Sequence, residues 1–424
     1  MTELDQSTLD KLGIESIEQT RKIHGSLESL KNSIPGFVAV KSISETYVSI
    51  NKGKYEKWNP DDIKIMSLGI YMETKEVKDK SNEIQLNLIP HEKKFKEYYK
   101  RYNGEDLNNK TILIWRTGGI GDILFIQPCM RFIKEKYPTC KIIFACSRVY
   151  FPLINHWPWI DEILPMPFDA KYLENSDYHC TFEGVIERCC EAETTNAYKL
   201  FAKWMGFDIP DYELKPKLET NKNDDRYVKK IMKKLCIPEN NFIYVQPKAS
   251  VMLRTPSIGH WQRILVKLIH DKQIIVFNDT PELWEEFKNS FEKNIRPEWR
   301  KRLIHFSPYS KNISVAMSLM KKAKLVIAPD SSAIHLSAGL KKPCYGIYAP
   351  FPGHIRMSTY RNCNWTEPVS FNVCHYGGKN CCLHHLKICP NHSNYISPCF
   401  DLLNYTQIPK DIYQLLNKNK KRKK

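Results

Sequence analysis

Residues 111–131 read TILIWRTGGIGDILFIQPCMR, and the order of textures in this stretch decides the fold. Thr111–Trp115 is a short β-branched and aromatic run of the kind that becomes a buried strand. Arg116-Thr117-Gly118-Gly119-Ile120-Gly121 follows, a turn whose glycines permit positive φ and let a backbone approach a ligand closely. From Asp122 an apolar-periodic stretch runs to about Tyr137 and stops at Pro138, which predicts a helix. A strand, a glycine turn and a helix N-terminus together present backbone N–H groups to an anion or a sugar. Asp122 reads either as the N-cap of that helix or as a functional carboxylate beside the ligand.

The same letters exclude two familiar glycine motifs. A dinucleotide fingerprint needs G-x-G-x-x-G and an acidic residue after the next strand. Counted from Gly119 the pattern reaches Gly121 and then Leu124, and the next strand ends in Cys146-Ser147-Arg148 without a carboxylate. The Gly-Lys-Ser/Thr of a P-loop occurs nowhere in the chain.

The alternation extends in both directions. From 109 to about 217 come ILIW, the helix after Asp122, IIFAC, a helical turn near 151–156, EILPM, the run 178–187 and a helix at 197–205. A charged helix at 221–235 leads to a second block: NFIYVQP, helix 261–270, QIIVFND, helix 281–291, RLIHF, helix 315–322, LVIAPD, helix 332–340 and CYGIYAP. Alternating βα units imply parallel sheets covered by helices on both faces. The expected fold is therefore α/β, with two Rossmann-like domains at 106–220 and 221–362 facing across a cleft. Residues 1–105 form an accessory segment, helical at first and β-rich from FVAVKSISETYVSI onward, and 363–424 form a Cys-rich tail with a return helix and a basic end.

Composition bounds the class. A chain of 424 residues, 42% hydrophobic, can build two or three cores. The N-terminus is acidic and lacks an apolar signal region, and no apolar run approaches the roughly 20 residues that span a bilayer, so a soluble cytoplasmic protein is expected. The net charge of +17, with six basic residues in 417–424, suits anionic partners: nucleotide phosphates, nucleic acid or an acidic membrane surface. Fourteen cysteines in a chain without a leader argue for free thiols or a metal rather than a disulfide framework. Cys374, Cys381, Cys382, Cys389 and Cys399 cluster with His375, His384, His385 and His392, but their spacing is not that of a Cys-x-x-Cys zinc ribbon. Reduced structural thiols and a structural metal both fit them.

Strand ends of the second block carry the polar residues. Lys248 and Ser250 follow the first strand, with Arg254 just beyond, and Asn278-Asp279 follow the second. Asp330-Ser331-Ser332 follow LVIAP and open a helix that bears His335. Hydroxyls and amides at a helix start suit a diphosphate, and Arg254 supplies charge. Read structurally, the serines are N-caps and His335 is a core histidine.

RTGGIGDILFIQPCMRFIKEKYP resembles the first motif of glycosyltransferase family 9, the ADP-heptose:lipopolysaccharide heptosyltransferase group. VIAPDSSAIHLSAGLKKPCYGIYAP is similar to the second motif, where Asp-Thr-Gly precedes a helix bearing His; here Ser331-Ser332 keeps the hydroxyl and loses the glycine. KASVMLRTP sits where the family keeps a phosphate-contacting Ser or Thr and a basic residue. The resemblance runs from about Ile112 to Ile412, and residues 1–105 have no counterpart in short members. It implies a GT-B fold whose C-terminal domain holds a nucleotide-sugar donor, ADP-linked in that group, through Lys248, Ser250, Arg254, Asn278, Asp279, Asp330, Ser331, Ser332 and His335. A glycan acceptor such as lipopolysaccharide would meet the turn at Thr117, Gly118, Gly119 and Gly121, with Asp122 as general base for inverting transfer. The tail would pack back on the N-terminal domain. The chain has no Asp-x-Asp metal motif, so metal-independent chemistry with no further cofactor is expected. Two other functions share these features: glycosylation of modified DNA bases, and a non-catalytic nucleotide-sugar-binding module. Asp122 beside an intact glycine turn speaks for an enzyme.

Overall fold

A computed structural model of the chain describes residues 37–42, 46–51, 54–59, 62–67, 86–88, 100–368, 389 and 396–421. The helices expected in 1–34 and most of that at 91–106 lie outside the described residues. The chain forms two compact units. Unit 1 is Met1–Thr117, Cys129–Arg148 and Trp159–Asp208; unit 2 is Gly118–Pro128, Val149–Pro158 and Ile209–Lys424.

Unit 1 is built on a parallel sheet of β6 (Thr111–Trp115), β7 (Lys141–Cys146), β8 (Glu162–Pro165) and β10 (Tyr178–Thr181), in the order β10-β6-β7-β8. Ile112–Trp115 are buried without exception, as a strand covered on both faces must be. One of those covers is the accessory segment. Its strands β1 (Phe37–Ser42), β4 (Ile63–Ser67) and β5 (Leu86–Leu88) join β9 (Phe168–Asp169) in an antiparallel sheet, while β2 (Thr46–Asn51) and β3 (Lys54–Trp58) pair separately. Alternate residues of the parallel strands, Leu113 and Trp115 on β6, Ile143 and Ala145 on β7, share one apolar cluster with Ile65 and Phe168. Trp115 meets Phe168 edge to face at 5.6 Å.

Unit 2 carries six parallel strands: β11 (Ile243–Val245), β12 (Ile275–Phe277), β13 (Leu303–His305), β14 (Leu325–Pro329), β15 (Cys344–Ile347) and β16 (Cys363–Thr366). Their order, β13-β12-β11-β14-β15-β16, reverses direction between β11 and β14. Loops leaving neighbouring strands at such a reversal part from each other and open a crevice at the carboxyl edge. Unit 1 has the corresponding reversal between β6 and β10.

The helices follow the sequence periods. Between β6 and β7 runs α1 (Ile120–Lys136); later come α2 (Ala197–Trp204), α3 (Lys222–Lys234), α4 (Ile258–His270), α5 (Pro281–Glu292), α6 (Ile313–Lys322), α7 (Ser332–Gly339) and α8 (Ile408–Lys421). Capping is explicit where the sequence offers it: Ser257 and His260 form a reciprocal box on α4, and Thr280 and Asn312 cap α5 and α6. None of the described helices is long and apolar enough to cross a membrane.

The tail was expected on the N-terminal domain, and its described part packs on the sheet of its own unit: Phe400, Leu403, Ile408, Ile412 and Leu415 join a core with Ile243, Trp261 and Tyr345. The polar contacts agree, with Tyr345 donating to Asp411 at 3.2 Å and Tyr413 to Asp271 at 2.9 Å. Burying such side chains contributes roughly 1.5–3 kcal/mol each, which fixes the helix firmly. The apolar face of α8 announced that it docks, but held nothing about which sheet receives it. Of the cysteine cluster, Cys374, Cys381 and Cys382 lie outside the described residues, while Cys389 is buried and Cys399 half-buried. Among the described residues no group of three or more His, Cys, Asp or Glu is placed to hold a metal.

Candidate functional site

The reversal in unit 2 is crossed by an ion pair. Arg254 ends a short turn after β11, and its Nη1 stands 3.2 Å from Oδ2 of Asp330, the residue that follows β14. Asp330 is buried and the Arg254 side chain nearly so. Nη2 of Arg254 also donates to Ser250 Oγ at 3.1 Å. The loop between them is pinned at both ends, by Thr255 Oγ1, which accepts from Ala249 N–H at 3.1 Å, and by Trp261 Nε1, which donates to Pro247 carbonyl at 3.1 Å.

Residues after β12 brace this loop. Asp279 accepts the backbone N–H of Lys248 at 3.0 Å and that of Thr280 at 2.9 Å, while its own N–H donates to Ser307 Oγ at 2.8 Å. Burial holds its carboxyl above the usual carboxylate range, opposed by the amides of Thr280 and Lys248. Asn278 is buried and donates to Tyr244 OH at 2.9 Å and to Ser310 Oγ at 3.2 Å. The Lys248 side chain is exposed at the mouth of the loop.

At the head of α7, Ser331 occupies the N-cap position in an extended conformation, yet its side chain makes no capping bond. Its Oγ is buried and has no hydrogen-bond partner among the described residues. A hydroxyl withdrawn from water without a partner costs free energy, so the capping explanation of Ser331 fails here. Ser332 is the first residue of the helix, and His335 lies one turn in, buried against α1. The His335 ring meets Phe125 edge to face at 4.8 Å, and its Nδ1 lies 2.5 Å from the Tyr360 hydroxyl. Burial pushes the imidazole down to about 4, with Asp330 acting against that and Arg356 and Arg254 adding to it. His335 is therefore neutral at physiological pH.

Arg356 completes the group and had no signal in the sequence. It sits on the one-turn helix Gly353–Arg356, fully buried, with its guanidinium 4.2 Å over Phe351 and 5.9 Å over Phe125. Burial lowers its pKa, and the charges that act on it include Asp330, Arg254 and Asp122. Gly353 is obligatory for this turn, because a Cβ there would fall 2.6 Å from Trp365 and 2.8 Å from Tyr348.

The glycine turn belongs to the same unit. Residues Gly118–Pro128, hence Gly118, Gly119, Gly121 and Asp122, cluster with unit 2. A Cβ built at Gly121 would lie 3.6 Å from His335 Cδ2, so the turn and the histidine are in van der Waals range. Asp122 departs from its expected position. The helix starts at Ile120, which makes Asp122 its third residue rather than its cap, and its Oδ2 accepts the Gly119 N–H at 2.7 Å. Glycine is itself an acceptable N-cap, and a carboxylate at the third position reaches back to the cap amide as in a capping box. The carboxylate thus sits at the positive end of α1, within electrostatic reach of Arg356.

In unit 1, Thr117 and Arg116 face the end of β10. Thr117 donates its hydroxyl to Glu183 at 2.9 Å and its backbone N–H to the same carboxylate. Arg116, buried, donates to the Phe182 carbonyl at 2.8 Å and pairs with Glu187 at 2.6 Å. Burial raises the Glu183 carboxyl, opposed by Arg116 and Thr117. These glutamates follow a strand with no motif around them, and only the strand order brings them to Arg116.

Residues 191–380 match the family model described as glycosyltransferase family 9 (heptosyltransferase). No curated protein sequence matches the chain significantly. Among solved structures, it is similar to the ADP-heptose lipopolysaccharide heptosyltransferase II of E. coli at 15% identity and a TM-score of 0.55, covering 73% of this chain and 99% of that one. A glycosyltransferase family 9 protein of Veillonella parvula gives 12% identity and 0.56, covering 74% and 99%. The dodecameric iron-containing heptosyltransferase TibC, solved with ADP-D-beta-D-heptose, gives 10% and 0.50, covering 91% and 93%. The fold is GT-B, α/β with two parallel sheets, and the family match bears out the resemblance to family 9 and supports glycosyltransferase activity.

Proposed function

We propose that this chain transfers a heptose-like sugar from a nucleoside-diphosphate donor to a hydroxyl of a glycan acceptor, with inversion at the anomeric carbon. One observation carries the reading: a carboxylate at a glycine turn, Asp122, shares a compact unit with the Arg254–Asp330 switch point, and His335 lies beside Gly121 of that turn and within electrostatic reach of Asp330 and Arg254. The likeness to an enzyme solved with an ADP-linked heptose supports an ADP-linked donor.

The acceptor oxygen attacks the anomeric carbon from the face opposite the diphosphate, while the Asp122 carboxylate takes its proton. The bond from that carbon to the diphosphate oxygen breaks, and the electron pair leaves with the diphosphate. Arg254, the exposed Lys248 and the Ser331 hydroxyl and amide meet the growing charge. Asn278 and Asp279 act by holding the loop that carries Lys248. The sequence has no Asp-x-Asp pair, so these donors take the charge in the proposed mechanism.

The test is a panel of nucleotide sugars offered with lipopolysaccharide core acceptors, followed as nucleoside diphosphate release with Mg²⁺ or with EDTA. Release that needs both an ADP-linked donor and the acceptor, and that survives EDTA, is expected. Release from no donor in the panel would sink the reading.

A further inference from the structure

The loop that carries Arg254 is closed by a residue that the C-terminal tail holds. Loop 247–257 runs from β11 to α4, and Ser257 ends it as the N-cap of that helix. The Ser257 N–H donates to His260 Nδ1 at 3.2 Å, and Ser257 Oγ accepts the His260 N–H at 3.4 Å. Two residues earlier, Thr255 Oγ1 accepts from the Ala249 N–H, and beside it Arg254 reaches Asp330. Where the His260 ring stands therefore sets where the loop ends.

The tail fixes that ring from three directions. The short 3-10 helix Pro398–Leu402 brings Asp401 Oδ1 to 2.9 Å from His260 Nε2. A carboxylate only accepts, so Nε2 donates to it. Tyr405 lies parallel to the imidazole, at 8° and 5.7 Å, and Phe400 stands 5.7 Å from it. Tyr405 is held in turn: its hydroxyl donates to the Phe400 carbonyl at 2.7 Å, and the Arg263 guanidinium lies 5.1 Å from its ring. Burial then decides which partner the Asp401 bond serves. Five buried apolar side chains already anchor the tail, so one bond from an exposed carboxylate adds little to its docking. The buried partner is His260, whose other nitrogen closes the loop.

We propose that the C-terminal tail is part of the donor site, with Asp401 a positioning residue that orients His260 and, through Ser257, holds loop 247–257 so that Arg254 faces the diphosphate. The link from tail to loop stands on these contacts; its bearing on the donor rests on the transfer reading above.

The native full-length chain, Asp401→Ala and Asp401→Asn are compared by amide hydrogen exchange and by calorimetric titration with ADP. In Asp401→Ala the bonded amides of Ala249, Arg254, Thr255 and Ser257 should exchange about 3- to 10-fold faster, the worth of one hydrogen bond, while α8 exchanges as before. ADP affinity should fall by a similar factor. Asparagine keeps an oxygen for Nε2–H, so Asp401→Asn should match the native chain in both readouts. Faster exchange in α8 with the loop unchanged would make Asp401 an anchor of the tail only and overturn the proposal. Equal defects in the two variants would overturn it too, since the bond would not be their cause. A loosened loop with native ADP affinity removes the tail from the donor site. If the native chain binds no ADP, the transfer reading fails, and the exchange still decides whether the tail orders the loop.

Discussion

After β6, the first strand of the parallel sheet in unit 1, Arg116 reaches toward carboxylates that follow β10; after β11, the first strand of the sheet in unit 2, Arg254 reaches toward Asp330 after β14. The strand orders make these equivalent places, so the two sheets can be compared residue by residue. At the first, Arg116 is held by carboxylates and a carbonyl: it bonds the Phe182 carbonyl and Glu187, and the Thr117 hydroxyl donates to Glu183. At the second, two guanidinium groups, Arg254 and Arg356, act on one buried carboxylate, and the Ser331 hydroxyl has no partner among the described residues. An arginine matched by two glutamates and a carbonyl is a strut that sets where the glycine turn begins. Two cations on one carboxylate, beside an unanswered hydroxyl, leave an excess of donors suited to a diphosphate. In the proposed reading the same crossing motif is structural in one unit and meets the diphosphate in the other.

The largest expected effect tests the chemistry beside that second crossing. Asp122→Asn keeps an oxygen that can accept the Gly119 N–H, so its melting temperature should hardly move. It cannot take a proton from the acceptor, so turnover should fall by about 10²–10⁴-fold. Steady-state rates and a thermal melt on the one variant separate base from brace; near-native turnover would leave Asp122 a brace only.

Acid stability comes next. Folded His335 titrates at about 4, against 6.5 for an unperturbed histidine. Its contribution is whole above the unfolded value and is lost as pH falls from there toward the folded one, because only the unfolded chain binds the proton. By the lower limit the loss amounts to roughly 3 kcal/mol. His335→Gln should flatten this stretch of the stability curve, measured by denaturant melts. His179 in unit 1, pushed down to about 3 by burial, leaves part of the slope in place. An identical curve for native protein and variant would mean His335 is not neutral in the fold.

The two arginines then divide the comparison. Arg254→Met should weaken nucleotide-sugar binding by roughly 1.5–3 kcal/mol, the worth of a charge-assisted hydrogen bond. Arg116→Met should lower stability by roughly 1–3 kcal/mol, because it takes the donor from the Phe182 carbonyl and the cation from Glu187, while donor affinity holds. Equal donor defects in both variants would erase the distinction between strut and ligand site. The smallest effect belongs to Ser331→Ala. With no capping bond to lose, it should melt as the native protein does and bind donor weaker by about 0.5–1.5 kcal/mol. A drop in melting temperature would show that the hydroxyl caps α7 in solution.

Much of this was legible in the residues. The β-branched runs and their interleaved helical periods gave both parallel sheets, and the glycine turn and the Asp330–His335 head marked two of the strand ends that matter. What escaped has a physical reason in each case. Asp122 moved inside its helix because Gly119 serves as cap, and a sequence does not show which of two cap formers three residues apart wins. Arg356, Tyr360 and Glu183 stand alone in runs without period, and only strand order and a one-turn helix bring them to the sites. An amphipathic tail helix specifies that it needs an apolar surface, and unit 2 provides one where the N-terminal unit was expected.

The most direct measurement is a calorimetric titration of a nucleoside diphosphate into the native protein, Asp122→Asn and Arg254→Met under one set of conditions. The account predicts native-like binding for Asp122→Asn and a loss of roughly 10- to 150-fold for Arg254→Met, since the switch point in unit 2 holds the diphosphate and the turn supplies the base. Native-like binding by Arg254→Met, or a matching loss in Asp122→Asn, would contradict it.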